Sequence, residues 1–557
     1  MEDQMKQFIE GIRMSYLTTG VDITCETPIY EEKMVPMRDG VKLYAYCYLP
    51  EGEGPFPVIQ QRSCYAEMDF INKPTGEELA KRGYAYICQH CRGTGKSEGH
   101  WEPIVNERED GLDTLDWITA QPWSGNIGIY GSSYLALVGW IVADAVPEQV
   151  KSMYLSNYGV DRYTSAYKDG LMRHDILTSW AMDNAGFPVT ADYMESCRYR
   201  PHNEVDEKLW GRRLPWYQDW LSNPYRTCDF WQQGIWKKLS EIPRDIRIPL
   251  YISDSWYDHH LGSALFSYDR LPDEIKAHTT LEIGSWNHLM QLCLQDKPTA
   301  NAMTNMTKTM VQWFEATLKR EEKPEAAIHT YEIGADKWNT WECWPVKEEK
   351  TETLYFAPAD KDGCRQLTET PVDGTAGFVY DPEEPVPSHG AESMLHTMAE
   401  VGSMLQPEPD WRDDVLSFIS EPLERDTHIL GQMKAKLFVS SDAEDTAFTA
   451  KIMEVNEEGK AYNIRSTITT LCSAQDMTYT PGEVREVALD MWDIDWQLKK
   501  GSRIRVDISS SDFPQYAVHS NFAGPWAEQA VTKKAKQTIY MGAEYPSALA
   551  IPVYEEV

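Results

Sequence analysis

No stretch of this chain approaches the ~18 apolar residues that a membrane-spanning helix requires. The opening MEDQMKQFIEGIRMSYLTTG has no apolar core of the kind a secretion signal carries. Positive charge is scarce: 53 Lys and Arg stand against 87 Asp and Glu, a formal net charge of −34. So acidic a surface repels nucleic acid and anionic lipid, and neither is expected as a partner. Cysteine shows no framework. The 11 cysteines, an odd number, are scattered through 557 residues. That suits free thiols in a reducing, cytoplasmic compartment better than disulfides. Cys88 and Cys91, in CQHC, have the spacing of a redox pair or half a zinc site, but no second CxxC completes four ligands. The plainer reading is that Cys88 ends a buried strand and Cys91 opens the loop after it. No motif calls for a metal or organic cofactor, and none is expected.

What is present is the composition of a large globular protein, 42% hydrophobic, with 20 Trp and 30 Tyr. The first third alternates strand and helix. KMVPMRDGVKLYAYCYLP reads as a hairpin about Asp39-Gly40. FPVIQQR and YAYICQH read as buried strands, TGEELAKRG as a helix capped at Gly83, and NEREDGLDTLDWITAQ as an amphipathic helix. Such alternation implies a mostly parallel sheet with helices on both sides. From Gly159 to Pro243 the chain turns polar and aromatic without β alternation, which suggests a helical insertion. RIPLYIS and TTLEIGS resume the sheet, and NAMTNMTKTMVQWFEATLK follows as a helix. After about Pro345, short strands between turns suggest a jelly-roll β-sandwich. The expected division is a core of residues 1–158 and 244–345, a helical cap of 159–243, and a β domain of 346–557.

One segment poses a chemical question. In NIGIYGSSYLALVGW a β-like run meets Gly-Ser-Ser and turns at once into a helical apolar run. A serine at such a turn is either an ordinary helix cap or an exposed nucleophile. Two serines compete. The residue two before a nucleophile at this turn must be Gly, because a side chain would crowd it. Gly131 stands two before Ser133, whereas Tyr130 stands two before Ser132. A serine nucleophile needs a base, and the base needs an acid to orient it. In an α/β-hydrolase these follow in the order serine, acid, histidine, each after a sheet strand. Here RIPLYIS runs into DSWYDHH, which offers Asp254 and Asp258, and TTLEIGS runs into WNHLMQ, which offers His288. Ser133, Asp258 and His288 therefore stand in the required order. His259 and His260 lie too near the acid in sequence to meet it from another loop, and His278 precedes its strand.

These residues resemble the cocaine esterase and X-prolyl dipeptidyl peptidase family of serine hydrolases, which also holds α-amino-acid ester hydrolases and a glutaryl-cephalosporin acylase. GSSYLA resembles its Gly-x-Ser-Tyr-x-Gly elbow, CRGTGKSEGHW its Arg-Gly-x-Gly-x-Ser-x-Gly loop, WYDHH its acid loop and GSWNH its histidine loop. The stretch from RDDVLSFISEPLERD to TAFTAKIMEV resembles its C-terminal β domain. The match spans nearly the whole chain. It implies an α/β-hydrolase core with a helical cap and a jelly-roll domain. It implies Ser133 as nucleophile, Asp258 as acid and His288 as base. It also implies an oxyanion hole made by the Tyr134 N–H and the Tyr65 hydroxyl. Two positions depart from the pattern. Ala136 replaces the last elbow glycine, which suggests looser helix packing. His90 stands where the family usually has Asp, which puts an ion pair there in doubt.

The expected activity is acyl transfer to water from a small ester, amide or short peptide. The cap tryptophans Trp180 and Trp216, with Trp256 beside the acid, are the candidate substrate-binding residues. The chain length suits the esterase-like members better than the X-Pro dipeptidyl aminopeptidases, which remain the alternative. An idle jelly-roll binding protein is a second alternative, which the triad order argues against. Nothing in the sequence shows an oligomer, although a surface strand of the β domain offers a place for subunits to pair.

Overall fold

The computed structural model describes residues 2–347, 349–361, 363–394, 400–474 and 478–555. Alternating strands and helices build a ten-stranded mixed sheet. Its strands are β1 (Ile29–Pro36), β2 (Lys42–Leu49), β3 (Phe56–Ser63), β4 (Ala85–His90), β5 (Ser124–Ser132) and β6 (Val150–Ser156). After an insertion that carries the two-residue strands β7 (Tyr167–Lys168) and β8 (Leu171–Met172), the sheet resumes. Its last members are β9 (Leu250–Ser255), β10 (Thr280–Gly284), β11 (Ala327–Glu332) and β12 (Lys337–Trp341). The order across the sheet is β1-β2-β4-β3-β5-β6-β9-β10-β11-β12. Every pairing from β4 to β11 is parallel, and both margins are antiparallel.

The central strands are buried on both faces, as a doubly covered parallel sheet demands. Four helices of the first part are α1 (Glu2–Leu17), α2 (Asp69–Lys81), α3 (Glu107–Thr119) and α4 (Tyr134–Trp140). The insertion between β6 and β9 begins with α5 (Arg162–Ala166) and α6 (His174–Asp183) and continues with short helices, among them Pro215–Leu221 and Gly234–Glu241. The expected hairpin forms between β1 and β2. Cys88 lies buried inside β4 and Cys91 just past its end, and all 11 cysteines are free thiols.

From Glu349 onward the chain forms an all-β domain built on an eleven-stranded sheet. It packs directly on the loops that leave the first sheet. The Tyr257 hydroxyl lies 3.4 and 3.3 Å from the carbonyls of Asn463 and Ile464, and Arg465 donates to the Trp256 carbonyl. Among the described residues, no helix is long and apolar enough to cross a membrane.

Candidate active site

In a parallel sheet the C-terminal ends of neighbouring strands share one rim, and the loops leaving that rim converge. Tyr65 follows β3, Ser133 follows β5, Asn157 follows β6, Asp258 follows β9 and His288 follows β10. The turn from β5 into α4 is tight. Ser133 has φ 56° and ψ −129°, a conformation costing of order 1–3 kcal/mol for a non-glycine residue. A Cβ on Gly131 would lie 2.1 Å from the Leu135 carbonyl oxygen, so only glycine allows strand and helix to meet there. Ala136 is fully buried against the same turn.

At the rim, Ser133 Oγ lies 2.8 Å from His288 Nε2. His288 Nδ1 lies 2.6 Å from Asp258 Oδ2. The other Asp258 oxygen accepts from the His260 N–H at 2.7 Å, which fixes the carboxylate plane. This geometry suits an imidazole protonated at Nδ1, with Nε2 accepting from the serine hydroxyl. Asp254, the other acid of the segment, is turned away from His288 and accepts from the Ser255 N–H at 2.7 Å. Burial, then the nearby Asp258 charge, pushes the Asp254 carboxyl well above its ordinary range.

The Tyr134 N–H is the first of α4 and has no intrahelical acceptor. The Tyr134 side chain pins it: its hydroxyl accepts from the Ile104 N–H at 2.8 Å and donates to Glu107 Oε1 at 3.1 Å. Glu107 is held in turn by buried Arg62 at 2.8 Å. The Tyr65 hydroxyl accepts from Trp180 Nε1 at 2.8 Å and keeps its own proton to donate. Burial, then the neighbouring Cys64, pushes the Tyr65 phenol well above its ordinary range.

A cavity of about 70 Å³ joins Ser133, Tyr65, Tyr134 and His288 to the insertion. Trp180 lines it, with its ring stacked 6.1 Å from Tyr134. Trp216 stands behind Trp180, 5.7 Å away ring to ring, and does not line the cavity. Trp256 does not belong to the site. It is 0% exposed, packs on Trp344 and donates Nε1 to the Tyr331 carbonyl at 2.8 Å. Its side chain follows the inner face of the acid loop rather than the rim. The doubt about His90 also needs correcting: His90 Nε2 meets Asp69 Oδ1 at 3.2 Å, so the carboxylate partner comes from α2.

Three basic side chains of the cavity, His259, His260 and Arg162, escaped the sequence reading. His259 and His260 lie beside His288 with tilted rings, His259 at 4.3 Å from the His288 ring and 4.1 Å from His260. Burial, then the neighbouring histidines, pushes both imidazoles well below their ordinary range, so they stay neutral near pH 7. Arg162, at the start of α5, completes the wall. The WYDHH spacing held a signal for the histidines, because the Asp258–His260 turn aims both rings at His288. No sequence signal marked Arg162. The β domain reaches the cavity through Met394.

Comparison with known proteins completes the picture. Residues 39–290 match the model of the X-Pro dipeptidyl-peptidase (S15) family. Residues 315–550 match that of the X-Pro dipeptidyl-peptidase C-terminal non-catalytic domain. A cocaine esterase of Rhodococcus sp. (strain MB1 Bresler) is 29% identical, over 93% of this chain and 97% of that protein. An aminopeptidase from a marine sediment Thaumarchaeota archaeon shares the fold with TM-score 0.80 and 22% identity, covering 95% of this chain and 97% of that one. An α-amino acid ester hydrolase superposes with TM-score 0.80 at 20% identity, over 94% of this chain and 96% of that one.

Proposed function

This chain belongs to the cocaine esterase and X-Pro dipeptidyl-peptidase type of serine hydrolases, and on that premise we propose that Ser133, His288 and Asp258 are its catalytic triad. The observation that carries the reading is the continuous path from Ser133 Oγ to His288 Nε2 at 2.8 Å and from His288 Nδ1 to Asp258 at 2.6 Å. In this reading residues 1–158 and 244–345 form the catalytic core, residues 159–243 cap it, and residues 346–557 close one side.

Ser133 Oγ attacks the carbonyl carbon of an ester or amide while its proton passes to His288 Nε2. The carbonyl electrons move onto oxygen, and that oxyanion is held by the Tyr134 N–H and the Tyr65 O–H. The tetrahedral centre collapses, His288 returns the proton to the departing alcohol or amine, and an acyl-Ser133 ester remains. Water then attacks with its proton taken by His288, and collapse releases the acid and restores Ser133. The carboxylate of Asp258 holds the imidazole in its tautomer throughout.

Substrates are small esters or amides. Among the described residues no acidic side chain lines the cavity to receive the ammonium group of an X-Pro peptide, which favours the esterase reading over the dipeptidyl aminopeptidase one. A fluorophosphonate probe tests the nucleophile: it labels the wild type and leaves Ser133→Ala unlabelled. Equal labelling of both, or turnover of p-nitrophenyl acetate by Ser133→Ala at the wild-type rate, would refute the assignment.

A further inference from the structure

Six arginines of the described chain are buried: Arg62, Arg82, Arg162, Arg173, Arg465 and Arg505. Five have a carboxylate within 4.0 Å, namely Glu107, Glu78, Asp175, Glu392 and Asp507 in that order. Arg162 is the exception. It is 7% exposed, and no carboxylate lies within 4.0 Å of it among the described residues. The neighbouring Asp161 is engaged instead by Arg226, at 2.8 Å. One Arg162 Nη donates to the Tyr158 hydroxyl at 3.1 Å, its Nε has no acceptor, and its guanidinium lies 4.6 Å from the Trp220 ring centroid.

A buried guanidinium without a counter-charge loses solvation that the protein does not return. Arg162 accepts that loss in the cavity that holds Ser133 and His288. The other polar groups of that wall point the same way. His259 and His260 can supply no negative charge, because an imidazole is either neutral or cationic, and His259 Nδ1 has no hydrogen-bond partner. The missing charge is therefore one that arrives with the substrate.

We propose that Arg162 receives a carboxylate on the acyl portion of the substrate, so that this enzyme hydrolyses half-esters of short dicarboxylic acids in preference to their uncharged counterparts. The claim rests on Ser133 being the nucleophile. Guanidinium and carboxylate pair through two parallel hydrogen bonds, a geometry a hydroxyl or methyl terminus cannot reproduce. A cavity of about 70 Å³ admits only a short linker between the two carbonyl carbons.

The test compares ethyl hydrogen succinate, glutarate and adipate with ethyl butanoate, pentanoate and hexanoate, by proton release at constant pH. In the wild type at least one half-ester should exceed its neutral partner by tenfold or more in kcat/KM. In Arg162→Gln that ratio should fall to near one. Should Arg162→Gln not fold, inhibition of the wild type decides: a free dicarboxylate should compete with ethyl pentanoate at least tenfold more strongly than the corresponding diamide. The proposal is overturned if no half-ester is preferred, if the preference survives in Arg162→Gln, or if diamide and dicarboxylate inhibit alike. Failure of every ester together with absent fluorophosphonate labelling would instead overturn the Ser133 reading, and this proposal with it.

Discussion

Replacing Tyr65 by Phe removes one oxygen from the site and nothing else. The oxygen has two duties, and each carries its own magnitude. As the proposed oxyanion donor it would serve beside the Tyr134 N–H, and loss of one such donor typically lowers turnover by roughly 10²–10³, about 2.7–4 kcal/mol. As an acceptor it takes the Trp180 indole N–H at 2.8 Å. Leaving that N–H without a partner costs at most ~1–3 kcal/mol of stability, and less if water reaches it. Against a typical reserve of ~5–15 kcal/mol the variant stays folded. The phenol's elevated pKa keeps it a neutral donor up to pH 9, so the wild-type to Y65F ratio should be flat between pH 6 and 9. Because the charge it meets forms only in the transition state, kcat and kcat/KM should fall together with KM little changed. Steady-state hydrolysis of a p-nitrophenyl ester measures all three, with circular dichroism as the folding control. A Tyr65→Phe enzyme within threefold of wild-type kcat, in a preparation where Ser133→Ala is dead, would refute the oxyanion role.

Trp180→Phe should lower kcat by about 2–12-fold, the equivalent of one ordinary hydrogen bond of ~0.5–1.5 kcal/mol, because it frees the Tyr65 hydroxyl to rotate. The two acids of the β9 loop should separate cleanly. Asp258→Asn should cost on the order of 10⁴ in kcat by favouring the wrong imidazole tautomer, by analogy with a serine protease. Asp254→Asn should leave kcat within threefold and hold or raise stability at pH 7, because the wild-type carboxyl has a raised folded-state pKa and loses stability as pH climbs above its unfolded value. Glu107→Gln should destabilise the chain by about 3–5 kcal/mol, read from urea denaturation, by stranding the Arg62 charge and loosening Tyr134. Four buried imidazoles have folded-state pKa values below the ordinary 6.5: His174, His259 and His260 all well below it, and His202 at about 3. Their contribution is complete above pH 6.5 and is lost on acidification, by up to ~1.4 kcal/mol per pH unit each, so thermal stability should drop steeply between pH 6 and 4. His202→Gln should shallow that slope.

How much of this the sequence disclosed depends on where each signal lives. That Ser133, Asp258 and His288 would share one rim was legible because parallel strands place their C-terminal ends side by side, and strand order survives in chain order. Gly131 was legible because the constraint on it is local: the obstructing atom, the Leu135 carbonyl, lies four residues away. Trp256 misled for the opposite reason. An aromatic next to an acid loop can face either way, and what decided was the Trp344 ring and the Tyr331 carbonyl, both distant in sequence. His259 and His260 lie too near Asp258 in sequence to meet it from another loop. That holds for the rings, but the His260 N–H bonds the carboxylate and swings both rings onto His288. Arg162 was invisible because a charge on a five-residue helix gives no periodic pattern, and its lack of a partner is a property of the packed interior.

The histidine cluster also bears on why the base can work. In the proposed mechanism His288 gains a positive charge as Ser133 is deprotonated, with two imidazoles within 4.3 and 5.6 Å, ring to ring. Were either of them cationic, a repulsion of several kcal/mol at an effective dielectric of ~20 would oppose that step. Burial removes the difficulty by keeping both neutral, while the Asp258 carboxylate meets the ring at 2.6 Å from Nδ1. Two neutral imidazoles thus leave the Asp258 carboxylate as the ionic partner of His288.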